Sequence, residues 1–236
     1  MAPRRAKLSV VELGVVDYDS ALALQAAMVA ARHQTRIGDT LILLEHPDVF
    51  TLGRGADERF ILNPPASVPI RRVSRGGQVT YHGPGQLVGY PILKLEGAAR
   101  DVGKYLRDIE GALIDALAQF GIVAERRSGM TGVWVDGSKI ASIGVGIRRW
   151  VTFHGFALNV ATDLSYFDAI VPCGIQGCRM TSIFAQGHPK VAVRDFAAAA
   201  TSSFGAAFGY EAIEITDPSS VWNLFGLAVE AGQVGL

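Results

Sequence analysis

A thiol between a proline and a glycine, Cys173 in Val171-Pro-Cys-Gly-Ile175, sits on a turn with little backbone freedom. A cysteine held this way can expose its sulfur, and its neighbouring amides can face an oxyanion. A small buried hydrophobe is the plain alternative. The second cysteine, Cys178, has no such setting and reads as packing. Asp136-Gly-Ser-Lys-Ile-Ala-Ser-Ile-Gly-Val-Gly146 contributes Lys139, which follows a turn and opens an apolar, alternating strand. By default such a lysine is a solvated edge residue. If it were partly buried, its ammonium would become a candidate for proton transfer.

The most unusual stretch is Arg75-Gly-Gly-Gln-Val-Thr-Tyr-His-Gly-Pro-Gly-Gln86. Its glycines let backbone approach a ligand closely, and its Arg and His offer polar anchors. Neither the P-loop pattern nor the dinucleotide G-x-G-x-x-G spacing is present. A glycine-rich hairpin with a structural histidine explains the same residues. The five histidines, His33, His46, His82, His154 and His188, contain no H-x-x-x-H pair, and C-x-x-C is missing, so no zinc site is expected. Pairing Cys173 with His82 or His154 is conceivable, but the local C-G-S-C-W signature of papain-like proteases is absent. Read singly, these clusters leave thiol or acyl chemistry and plain packing both open.

The elements that must position these groups follow from periodicity. Strands are expected at Leu8 to Val16, Thr40 to Glu45, Ile70 to Ser74, Gln78 to Tyr81, Leu87 to Leu95, Ile122 to Arg126, Gly132 to Val135, Lys139 to Ile147 and Thr152 to Val160. Helices are expected at Tyr18 to Arg36, capped by Asp19 or Ser20, at Asp101 to Phe120, and at Val193 to Phe208 and Pro218 to Ala228. The Asp101 helix is the clearest: Val102, Leu106, Ile109, Leu113, Leu117 and Phe120 recur every three or four residues, and Gly121 stands where a terminating glycine belongs. Pro47 to Pro69 reads as irregular, and the ends, 1–6 and 231–236, as frayed.

The chain has 236 residues, 49% hydrophobic and 19% charged, enough for a sizeable core and against global disorder. With no repeat or linker to divide it, residues 1–236 read as a single domain, an α+β fold with a mixed or antiparallel sheet. Lys and Arg total 22, as do Asp and Glu, so no overall field favours nucleic acid or membrane. Two cysteines fit a reducing cytoplasm rather than a disulfide scaffold. Neither a secretory signal nor an apolar run of about 18 residues is apparent.

Taken in order, the clusters resemble the lipoyl(octanoyl) transferases of the biotin/lipoate-protein ligase superfamily. The resembling segments are Leu44-Glu-His-Pro-Asp-Val-Phe-Thr-Leu-Gly-Arg54, Arg75 to Pro91, Gly132-Val-Trp-Val135, Ser138-Lys-Ile-Ala-Ser-Ile-Gly144, Phe153-His-Gly-Phe-Ala-Leu-Asn-Val160 and Pro172-Cys-Gly-Ile175. The resemblance implies a mixed sheet flanked by helices, with a smaller sheet completing the site. It implies transfer of an octanoyl group from the phosphopantetheine thioester of acyl carrier protein to a lysine of a lipoyl domain. Such domains occur in 2-oxoacid dehydrogenase complexes and in the glycine cleavage H protein. Cys173 matches the nucleophile, and Lys139 the lysine that activates the thiol and handles protons. Arg75, Gly76, Gly77, Gln78, Val79, Thr80, Tyr81 and His82, then Ser142, Ile143 and Gly144, then Gly155, Phe156 and Ala157, match the substrate-binding stretches. No cofactor and no metal are implied. The possible contacts for the acidic carrier are Arg71, Arg72, Arg75, Arg148 and Arg149, against a default of solvated surface.

Two rival readings share some of these features. An ATP-dependent lipoate- or biotin-protein ligase activates a free acid as an adenylate and needs no nucleophilic cysteine. A non-catalytic acyl-binding protein would hold octanoate without turnover.

Overall fold

The long apolar runs assemble into one sheet because each has two hydrophobic faces to bury. In the computed structural model, which describes residues 5–226, eight strands form a mixed sheet. They are β1 (Arg5–Val15), β2 (Asp39–Glu45), β6 (Gln86–Ile92), β7 (Glu125–Arg127), β8 (Met130–Val135), β9 (Ser138–Arg148), β10 (Val151–Asn159) and β11 (Tyr210–Ile215), in spatial order β11-β1-β2-β6-β10-β9-β8-β7. The β11, β1 and β2 strands run parallel, and the rest pair antiparallel. A second sheet of β4 (Ile70–Arg72), β3 (Val49–Leu52) and β5 (Val79–His82) carries the glycine-rich segment.

Helices cover both faces of the large sheet. The α2 (Val102–Ala118) and α3 (Val193–Phe208) helices pack on Leu8, Leu41, Leu43 and Leu158, whereas α1 (Tyr18–His33) and α4 (Pro218–Phe225) pack on Val11, Ile42, Leu44 and Val88. Neighbours in β2 thus alternate between the two cores, the reason that strand reads as an unbroken apolar run. The small sheet closes its own core with Phe50, Leu52, Val79, Tyr81 and Phe167.

The expected strands and helices hold in outline, with local corrections. Asp101 caps α2 through the Lys104 amide, and Gly121 has φ +75° as a terminating glycine should. Asp17, not Asp19 or Ser20, caps α1, which ends at His33 rather than Arg36. Pro47 to Pro69 is not wholly irregular: it holds β3 and a single helical turn, Glu58–Phe60, both too short to show a period. Residues 122–124 are not strand, and pairing begins only at Glu125. The strand β11 has no counterpart in the sequence reading, because five of its six residues are exposed and no apolar face marks them. It forms by non-local pairing, Arg5 opposite Tyr210. Arg5 and Ala6 belong to β1 and are not frayed. The expected fraying of 1–4 and 231–236, and the last residues of the expected helix to Ala228, lie outside the described residues. No described helix is long and apolar enough to cross a membrane.

Candidate active site

Cys173 and Lys139 are 34 residues apart in sequence and in contact in space. The Lys139 ammonium donates to Cys173 Sγ at 3.0 Å, and Ser142 Oγ lies 3.7 Å from the same sulfur. Cys173 occupies a one-turn helix, Pro172–Gly174, with φ 57° and ψ 13°. A left-handed non-glycine residue costs on the order of 1 kcal/mol or more, and such strain collects at functional sites. The amides that follow the thiol are already used: Gly174 N donates to Val171 O and Ile175 N to Pro172 O. They close the turn, so these two amides do not face an oxyanion.

Lys139 is not a solvated edge residue. It is 1% exposed, because a second segment pairs with it: Lys139 N donates to Arg179 O and Lys139 O accepts from Thr181 N. The Asp136-Gly137 turn reverses the chain with φ 46° and 79°, so Lys139 enters β9 opposite Trp134, whose ring lies 5.5 Å from its ammonium. A bulge follows at once, since Val133 faces Ala141 while Trp134 faces Lys139. Bulges re-aim side chains, and this one sits beside the reactive pair.

The thiol stands at a narrow cleft. Its lining contains Arg75, Gly76, Gly77, Gln78, Val79, Thr80 and His82 from the glycine-rich segment, and Ser142, Ile143, Gly144, Gly155, Phe156 and Ala157 from β9 and β10. Of the expected substrate-binding residues, Tyr81 alone is not brought there. Its hydroxyl donates to Asp48 and its ring stacks on Tyr166, so alternation along β5 turns it into the small sheet's core. Close backbone approach explains two glycines. A Cβ on Gly144 would come within 2.9 Å of Gly76 O, and one on Gly155 within 2.2 Å of Gly89 O.

Arg75 is 7% exposed and therefore not a docking contact for a carrier, again contrary to expectation. Its guanidinium donates to the carbonyls of Thr51, Gly76 and Gln78 and to Thr51 Oγ1, which locks the loop around it. Burial pushes its pKa down, and nearby Tyr18, Cys173 and Tyr90 push it back up. Arg71 and Arg72 are exposed but paired, with Asp19 and Glu58.

The cleft wall also includes Tyr18, Val88 and Tyr90, which sequence reasoning missed, and His154, which it named only as a conceivable partner for Cys173. His154 has φ 52°, a backbone signal that no residue type announces. Burial holds its imidazole down to about 3, and holds His46, which contacts Val16 O and Tyr90 Oη, down to about 4. His82, also held neutral by burial, bonds Gln86 Oε1. Gln86 continues to Asn159, and Asn159 to Thr181 O, so one polar chain ties β5 to the segment that pairs with Lys139. Among the described residues no group of His, Cys, Asp and Glu is arranged to hold a metal ion. Cys178 is partly exposed rather than packed, with Sγ 3.9 Å from Arg179 O.

Comparison with known proteins agrees with this geometry. The profile of the lipoyl protein ligase A/B catalytic domain matches residues 17–205. An octanoyltransferase of Geotalea uraniireducens is 50% identical over 179 residues, covering 76% of this chain and 83% of that protein. One of Acidobacterium capsulatum is 44% identical over 234 residues, covering 91% and 95%. The solved structure of a lipoate-protein ligase A bound with ATP superposes with a TM-score of 0.66 at 16% identity, over 94% of each chain, a likeness of fold. The chain is an acyltransferase and belongs to the lipoyl protein ligase A/B catalytic-domain family, among its octanoyltransferases.

Proposed function

We propose that Cys173 takes an octanoyl group from the phosphopantetheine thioester of acyl carrier protein and passes it, as a thioester, to a lysine of a lipoyl domain. The observation that carries this reading is the 3.0 Å contact between the Lys139 ammonium and the sulfur of Cys173, which lines the cleft. An ammonium at that distance favours the thiolate, the nucleophilic form. Sγ attacks the thioester carbonyl carbon, the bond to the pantetheine sulfur breaks, and the departing thiolate takes a proton, with Lys139 its nearest source. Thiol-for-thiol exchange is nearly isoenergetic, so this loading needs no nucleotide. The acceptor amine then attacks the same carbonyl carbon, the bond to Sγ breaks, and an amide forms downhill. The proton released by the amine returns through Lys139.

Arg75, Gly76, Gly77, Gln78, Val79, Thr80 and His82, with Ser142, Ile143, Gly144, Gly155, Phe156 and Ala157, form the acyl pocket in this reading. Each methylene buried there contributes about 0.8 kcal/mol, so the pocket both binds and measures the chain. Tyr81 supports the loop from behind. No cofactor or metal takes part, and the work is done in the cytoplasm.

Intact mass after incubation with octanoyl-acyl carrier protein tests the reading. One added octanoyl group, released by hydroxylamine and discharged by a lipoyl domain over many turnovers, is expected. Modification of the lipoyl domain only with ATP and free octanoate would instead make the chain a ligase, and loading without turnover an acyl-binding protein.

A further inference from the structure

The stem of Lys139 lies against a glycine of the neighbouring strand. Gly132, in β8, has φ +134°, a backbone conformation that side-chain-bearing residues rarely adopt. The space its missing side chain leaves is filled by Lys139: a Cβ there would lie 2.5 Å from Lys139 Cε and 3.1 Å from its Nζ. It would also lie 2.6 Å from Ala141 O across the β8–β9 ladder. The lysine stem therefore crosses the bare Cα of Gly132 on its way to the sulfur.

Gly132 is held by an unusual anchor. Glu110 projects from α2 and is fully buried, yet it carries a carboxylate. Its Oε1 accepts from Gly132 N at 2.9 Å, while Oε2 accepts from Arg107 Nη1 at 2.7 Å and faces Arg126 Nε at 3.3 Å. Arg126 also donates to the Arg107 carbonyl, closing the cluster around the helix. Burying a charge is costly unless every oxygen is matched, and here both are. The strand-side product of that arrangement is one fixed amide, that of Gly132.

We propose that Gly132, held by the Glu110 carboxylate, is the residue that positions the Lys139 ammonium on Cys173. The inference rests on the Cys173–Lys139 reading above and adds a positioning pair to it. In Gly132→Ala the methyl displaces the lysine stem. A retreat of Nζ by about 1.5 Å, at an effective dielectric near 20, weakens the attraction for the thiolate by on the order of tenfold in equilibrium. Glu110→Gln acts in the same direction more mildly. An amide has one accepting and one donating end, so either Gly132 N–H or the arginine pair then meets another donor.

The test is the pH profile of iodoacetamide alkylation of Cys173 in a Cys178→Ala background, where one thiol remains. Besides Lys139, the charged or titratable groups facing that thiol include Arg75 and Cys178. Gly132→Ala should slow alkylation near neutral pH about tenfold and move the profile to higher pH, with far-UV circular dichroism unchanged. In a Lys139→Met background the same substitution should change the rate less than about twofold, because Gly132 touches Lys139 and reaches the thiol through its ammonium, so the two effects are coupled rather than additive. An equal slowing in both backgrounds, or an unmoved profile, overturns the positioning role. If Gly132→Ala does not fold, Glu110→Gln, which keeps every glycine, decides by the same two readings. A profile unmoved by Lys139→Met alone overturns the Cys173–Lys139 pair itself, so the two failures are distinguishable.

Discussion

Replacing Lys139 by methionine isolates the charge from the packing. Methionine has nearly the stem length of lysine and can still lie beside Trp134 and over Gly132, so the surrounding fold should survive. What is lost is one positive charge 3.0 Å from Sγ. The Coulomb energy of an ammonium–thiolate pair at that distance is about 5.5 kcal/mol at an effective dielectric of 20 and about 1.4 kcal/mol in bulk water. Lys139 is 1% exposed while Cys173 is partly open, so an intermediate value applies. Losing about 2.8 kcal/mol of that attraction weakens the support for negative charge on the sulfur about 100-fold. Single-turnover loading from octanoyl-acyl carrier protein should slow by a similar factor. Lys139→Arg separates charge from proton transfer, since a guanidinium keeps the charge but does not release its proton in a protein. It should retain reduced loading and largely lose discharge to the lipoyl domain. If Lys139→Met loaded at the wild-type rate, the electrostatic argument would be wrong. If Lys139→Arg discharged as fast as wild type, the acceptor's proton would leave by another route, through water or His82.

Cys173→Ala should abolish the hydroxylamine-labile adduct in intact mass, whereas Cys178→Ala, whose sulfur lies outside the pair, should load normally; octanoylated Cys173→Ala would sink the thioester. Treatment with EDTA should leave the turnover rate unchanged, and loss of activity restored by zinc would contradict the metal-free reading. Acid should destabilise the fold through its buried histidines. His46 is held to about 4 and His154 to about 3 against an ordinary 6.5, so below 6.5 the unfolded chain binds protons that the folded chain refuses. Stability is full above 6.5 and falls as pH drops, by up to about 2 kcal/mol per buried histidine by about pH 5. Urea unfolding at neutral and acid pH measures this, and His46→Gln should flatten the slope; equal midpoints at both pH values would refute it.

Much of this protein was written locally. The amphipathic repeat of α2, its Asp101 cap and Gly121 stop depend on neighbours within a few residues, so they could be read directly. The Pro-Cys-Gly turn and the glycine-rich segment were visible for the same reason, since proline and glycine constrain backbone wherever they stand. Only the tertiary structure decided what depends on contacts between distant segments. Lys139 looked like a solvated edge residue until residues 179–181 were seen to pair with its backbone and bury it. Arg75 looked like a surface cation until its guanidinium was found inside the loop it organises. The β11 strand carries no apolar face and exists by pairing with β1, some 205 residues earlier at Arg5 and Tyr210. Tyr81 and His82 are adjacent in sequence, and strand alternation sent one to the small core and the other to the cleft. The cleft itself, with Tyr18, Tyr90 and His154 in its wall, belongs to no segment: it arises where two sheets meet, and burial and proximity there are properties of the assembled chain.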